Sequence, residues 1–200
     1  MIKCDVTVCA LISRTAEVKE GKNGSFLAFS VKYPLVSRDG EKQDMFIDVT
    51  MDGDKGSRSI YTAGRRVKIK GSLYPKKRGD KLYFNLRAEE NQDILVNTTE
   101  EDSMEGTISF KGKVSKNEII SRNDSRGKHY ISFDAFSSED NNGTKEYTWV
   151  RFLWFDPYEG HCVAPSALIS AEGKLQMNLY KGNIKLECIV SDVSEWTINK

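Results

Sequence analysis

Apolar and polar residues alternate along most of this 200-residue chain, with the period of two that a β-strand imposes. Over 2–13, Val6, Val8, Ala10 and Ile12 alternate with Thr7, Cys9 and Leu11. Over 26–33, Leu27, Phe29 and Val31 share a face. Over 43–51, Phe46 and Asp48 lie on one face and Ile47 and Val49 on the other. Two more strands are expected at 66–74 and 81–88, the latter with Leu82, Phe84 and Leu86 inward. The stretch 57–63 suits a short helix. The polar, acidic run 97–103 interrupts the pattern, which then restarts at 105–115, 128–136, 147–155, 168–177 and 184–190. Loops are expected at 17–24, which ends in the hairpin signal Asn23-Gly24, and at 34–42, 75–80, 121–127 and 137–143. A connector at 156–167 has room for one helical turn, and 180–183 reads as a turn.

The two halves repeat each other. Val67-Lys68-Ile69-Lys70-Gly71-Ser72-Leu73 parallels Ile169-Ser170-Ala171-Glu172-Gly173-Lys174-Leu175; Phe26-Leu27-Ala28-Phe29 parallels Tyr130-Ile131-Ser132-Phe133; Phe46 parallels Trp149. The offset stays at about 103 residues, the register of a duplicated unit. Each half has five strands, a long interruption between the third and fourth, and a glycine (Gly71, Gly173) inside the fourth, where a small barrel bends sharply. That order predicts an all-β chain of two tandem five-stranded Greek-key barrels of the oligonucleotide-binding (OB) type. Domain 1 is expected over 1–97, a linker over 98–103 and domain 2 over 104–200. Ligands of such barrels usually lie across the second and third strands, between loops equivalent to 17–24 and 75–80, or 121–127 and 180–183.

The stretch 147–155 is the most unusual. Alternation places Tyr147, Trp149, Arg151, Leu153 and Phe155 on one face, and Thr148, Val150, Phe152 and Trp154 on the other. The second face suits a core. Sheet packing alone would account for an aromatic strand, with Arg151 snorkelling or paired. A cation set among large rings is also a platform on which unpaired bases stack. Trp149 is assigned outward because it shares a face with Arg151, which is costly to bury unpaired.

Charge changes the picture locally. The net charge is +1, with 30% charged and 38% hydrophobic residues. Residues 1–100 carry 18 basic against 14 acidic side chains, and 101–200 carry 12 against 15. The basic maximum is Arg65, Arg66, Lys68, Lys70, Lys76, Lys77, Arg78 and Lys81, opposed by Asp80 alone, which suits either a solvated face or an electrostatic footprint. Cys4, Cys9, Cys162 and Cys188 lack metal-binding spacing and read as reduced, buried thiols. No run reaches transmembrane length, and 1–5 lacks the order of a signal peptide, so a cytoplasmic protein is expected. Asp48, Asp52 and Asp54 suit turn and cap roles better than a metal site. His129 and His161 stand in different contexts, and no nucleophile–base spacing or phosphate loop is visible. Neither an enzyme nor a cofactor is expected.

Three stretches together resemble the bacterial and phage-type single-stranded DNA-binding proteins. Trp149-Val150-Arg151-Phe152-Leu153-Trp154-Phe155 is similar to that family's third strand. Lys70-Gly71-Ser72-Leu73 and Glu172-Gly173-Lys174-Leu175 are similar to its fourth-strand glycine motif, and Asn23 to Val31 to its second-strand entry. The resemblance spans nearly the whole chain. It implies that Trp149 and Phe155 stack on bases. In the first half Phe46 matches, while Asp48 stands where an arginine would. The family commonly gathers four barrels, which here implies a homodimer. The family's acidic recruitment tip is not recognisable in Val193 to Lys200.

The reading is a non-catalytic binder of single-stranded DNA that protects the strand in replication, recombination or repair. Trp149, Phe155, Phe46, Tyr74 and Tyr83 would stack on bases. Arg65, Arg66, Lys68, Lys70, Lys76, Lys77, Arg78, Arg122, Arg126, Lys128 and Arg151 would follow phosphates. The alternative is an OB module that binds protein, which the near-neutral charge suits. Stacking reads neither sugar nor base, so RNA stays open as a ligand.

Overall fold

Two closed circuits of strands organise the chain. The computed structural model describes residues 1–22, 24–37, 39–52, 57–96, 99–141 and 143–197, with the backbone alone at 57 and 90–96. The first circuit comprises β1 (Ile2–Gly21), β2 (Gly24–Val36), β3 (Lys42–Asp52), β4 (Arg66–Arg78) and β5 (Lys81–Val96). Its neighbours run β1–β2–β3–β5–β4 and back to β1. The second comprises β6 (Ser103–Val114), β8 (His129–Asn141), β9 (Thr144–Phe155), β10 (Leu168–Tyr180) and β11 (Asn183–Glu195). It runs β6–β8–β9–β11–β10 and back to β6, and β7 (Ile120–Asn123) pairs with β8 outside the circuit. In both, the third and fifth strands pair in parallel. The two circuits therefore share one Greek-key order, that of an OB barrel. Two compact units divide the chain, Asp5–Lys76 with Leu82–Gly106, and Thr107–Lys200 with Met1–Cys4 and Lys77–Lys81.

Alternation produces each core. In the first barrel Val6, Val8, Ala10 and Ile12 of β1, Leu27, Phe29 and Val31 of β2, and Met45, Ile47 and Val49 of β3 point inward. Val67, Ile69 and Leu73 of β4 and Phe84 and Leu86 of β5 complete the interior. Tyr61, after a single 3-10 turn at Ser57–Ile60, stacks on Phe29 with ring centroids 5.4 Å apart. In the second barrel Phe152 is the centre. It stacks on Phe133 at 5.0 Å and meets Phe110 edge-on at 5.0 Å. Burial among these side chains pushes the Cys188 thiol up to about 12.

Gly71 and Gly173 are required by close approach. A Cβ at Gly173 would sit 2.1 Å from the Ile189 carbonyl oxygen, and one at Gly71 2.2 Å from that of Arg87. The β10–β11 register also shifts between Glu172 and Gly173, the bulge expected there.

Several expected loops are instead strand. β1 and β2 stay paired from Glu17↔Ala28 to Gly21↔Gly24; Asn23 of the hairpin signal lies outside the described residues. β4 runs through Pro75 to Arg78 before a turn at Gly79 and Asp80, and Ser137–Asn141 continues β8 opposite Thr144–Thr148. The outer parts of these arms are mostly polar and exposed, although Leu27, Ala28 and Ser137 at their bases are buried, so ladder hydrogen bonds carry the strands past the end of the apolar face. Residues 120–123 form β7, which overlaps the start of the expected 121–127 loop, and no helical turn forms within 156–167. Of the expected linker, Thr98 lies outside the described residues and Ser103 already belongs to β6.

Candidate functional site

The outer face of β8 and β9 is built by register. The pairs Tyr130↔Phe155, Ser132↔Leu153, Asp134↔Arg151, Phe136↔Trp149 and Ser138↔Tyr147 lie in successive rows on that face, while Val150, Phe152 and Trp154 fill the core behind it. Trp149 is 48% exposed and Trp154 6%, so the strand parity places the two indoles on opposite faces. Phe136 lies 4.9 Å from Trp149 and 5.4 Å from Tyr147, and Tyr130 lies 5.4 Å from Phe155. The result is two ring clusters on one solvent-facing sheet surface, separated by two rows, Ser132–Leu153 and the charged Asp134–Arg151.

The charged row holds Arg151. Its Nε donates to Asp134 Oδ1 at 3.1 Å and its Nη2 to Asp134 Oδ2 at 3.5 Å. These hydrogen bonds hold the guanidinium pKa above its ordinary value; partial burial opposes them, and the charges of Asp134 and Glu187 add to the rise. Glu187 stands opposite Arg151 on the parallel neighbour β11, and its Oε2 accepts from Asn178 Nδ2 at 2.6 Å. At the edges of the face, Lys128 Nζ lies 5.6 Å from the Phe155 ring centroid and 3.1 Å from Asp156 Oδ2. Arg122 is exposed on β7 opposite Tyr130, and Arg126 is exposed in the turn that Asp124 caps.

The remaining expected residues lie elsewhere. Phe46, 58% exposed on β3, is the ring on the corresponding face of the first barrel. Its neighbours include two occupied carboxylates: Asp48 accepts from Arg14 at 3.2 Å and Ser30 Oγ at 2.6 Å, and Asp44 pairs with Lys32 at 3.5 Å. Lys68, Lys70, Tyr74 and Lys76 alternate on the outer side of β4, with exposed Tyr83 on β5, so this set belongs to β4 and β5 rather than to β2 and β3. Lys70 pairs with Glu89 at 3.1 Å. Lys77 is half-buried, Arg78 is exposed, and exposed Arg65 donates from Nη1 to the Ile60 carbonyl at 3.0 Å. Arg66 is a correction: it is 8% exposed and ion-paired with Asp102, so its guanidinium is turned into the fold rather than toward a phosphate.

Phe136, Tyr130 and Tyr147 complete the ring clusters but were not among the expected site residues. The alternation of Tyr130, Ser132, Asp134 and Phe136 against Ile131, Phe133 and Ala135 was the available signal. Tyr180, exposed at the end of β10 with Lys181 Nζ 5.4 Å over its ring, is a fourth. His129 Nε2 hydrogen-bonds Ser121 Oγ at 2.9 Å, whereas His161 packs 5.3 Å from Trp154. Among the described residues no group of three or more His, Cys, Asp or Glu side chains could hold a metal ion, and no helix is long and apolar enough to cross a membrane.

No protein-family model and no curated protein matches the sequence. Among solved structures, the chain is similar to wild-type single-stranded DNA binding protein from Thermus aquaticus, with 11% identity over 98% of this chain and 94% of that one, at a TM-score of 0.48. A deletion mutant of the same Thermus aquaticus protein matches with 11% identity over 98% of this chain and 96% of that one, also at 0.48.

Proposed function

We propose that this chain is a non-catalytic binder of single-stranded DNA, with the outer face of β8 and β9 as its principal platform. The observation that carries the reading is the pair of ring clusters on that face, Phe136–Trp149–Tyr147 and Tyr130–Phe155, held in register on a closed barrel and open to solvent. Bases stack on such rings with any sequence, each worth roughly 1–3 kcal/mol. Lys128, Arg122 and Arg126 at the edges follow phosphates, and in the first barrel Lys68 and Lys76 on the outer side of β4 do so on that barrel's own surface. In the first barrel Phe46 stands opposite Lys32 on β2, where the second barrel sets Phe136 opposite Trp149, so that pairing contributes less stacking. The biological role is protection of exposed strands in replication, recombination or repair.

The reading predicts that oligo(dT) quenches intrinsic fluorescence and that log affinity falls linearly with log salt, by about 0.7 per phosphate neutralised. Absent or salt-independent binding would instead support a protein-interaction module, which the overall charge of +1 favours. The chain assembles as a homodimer of four barrels; light scattering should then report twice the 22.6 kDa chain mass, and a monomer at micromolar concentration would refute the assembly.

A further inference from the structure

The charged row between the ring clusters has the wrong balance for a phosphate. Arg151 stands between two carboxylates in register on the neighbouring strands, Asp134 on β8 and Glu187 on β11. Asp134 occupies Nε and Nη2 of the guanidinium. A phosphodiester brought to this row would meet two carboxylates and one partly satisfied cation, and like charges at this separation repel. A base carries no net charge and meets no such barrier. The Arg151 and Asp134 side chains are 55% and 39% exposed, so unused donors and lone pairs face the ligand side. Guanidinium N–H groups can donate to ring nitrogens and carbonyls of a base; carboxylates can only accept, and their best partner on a base is an exocyclic amine.

We propose that Asp134, Arg151 and Glu187 form a base-reading row within the stacking platform, which favours a base with an exocyclic amine (cytosine, adenine or guanine) over thymine at that place. The rings on either side hold the strand without regard to sequence, and the row between them adds a preference. This inference rests on the proposed binding of single-stranded DNA by the β8–β9 face.

The test compares oligo(dC) and oligo(dT) of equal length at one salt concentration and neutral pH, by anisotropy competition with the full chain. The two ligands have the same phosphate charge and ring size, so backbone contacts cancel. Wild-type protein should prefer oligo(dC) by about fivefold or more. Asp134→Ala should bring the two affinities within about twofold while still binding oligo(dT), and its unchanged melting curve would show that the surface substitution leaves the barrel intact. Equal wild-type affinities would overturn the proposal. A preference that survives Asp134→Ala, including an equal gain for both ligands on release of Arg151, would also overturn it. Failure of wild-type protein to bind either ligand would overturn the single-stranded DNA reading itself, and this row's role with it.

Discussion

Trp154→Ala is expected to cost about 3–5 kcal/mol of stability in denaturant unfolding of the chain. Trp154 is almost completely buried, meets Tyr158 edge-on at 5.2 Å and packs against His161 at 5.3 Å. Removing the indole leaves a void beneath the connector after β9. The neighbours that line it are an imidazole and a tyrosine whose hydroxyl donates to the Val193 carbonyl, so they cannot collapse into the space without breaking that bond. Oligonucleotide affinity, measured well below the new unfolding midpoint, should change little. A loss under about 1 kcal/mol would show that the two faces of β9 have been assigned the wrong way round.

Trp149→Ala is expected to do the reverse, weakening binding of oligo(dT) by about 5- to 150-fold while stability changes by less than about 1.5 kcal/mol. About half of the indole surface is exposed, so truncation opens no cavity and forfeits chiefly its contact with Phe136. The strand loses one stacking surface, and Phe136 and Tyr147 retain part of the platform. The fluorescence quench on binding should largely disappear, because Trp149 is the indole on the proposed ligand face and Trp154 is buried. Normal affinity in this variant would remove β9 from the interface.

Most of the barrel order was legible because a closed sheet with one dry face forces strict alternation: Val150, Phe152 and Trp154 identify the interior of β9 without any partner strand. The mid-strand glycines were legible as bends, although the contacts that demand them, the carbonyls of Arg87 and Ile189, belong to other strands. What escaped was whatever depends on pairing alone. β7 is exposed at all four positions, so it has no apolar period to detect. The outer ends of the hairpin arms, Glu20↔Ser25 and Glu139↔Glu146 to Asn141↔Thr144, likewise persist through ladder bonds between polar residues. Phe136 could be seen as an outward residue of β8, but only the register places it against Trp149. Arg66 looked like its basic neighbours, and nothing local pointed to Asp102 as its partner, 36 residues away.

The second barrel closes on a short joint. Among the described residues, β8 pairs with β9 over twelve residue pairs but with β6 over two, Lys113↔Phe136 and Val114↔Ala135, with the Ser115 N–H donating to the Asp134 carbonyl just beyond. A ladder that short is the cheapest place for the barrel to open locally. The same backbone carries Phe136 and Asp134 on its outer face, so the weakest joint runs beneath the proposed ligand contacts. A strand stacked on Phe136 and held at Asp134 would bind the closed barrel better than the opened one, and by mass action would shift that opening equilibrium toward closure. Occupancy of the face and integrity of the barrel would then be thermodynamically linked, and DNA bound there would act as a clasp on the protein that holds it.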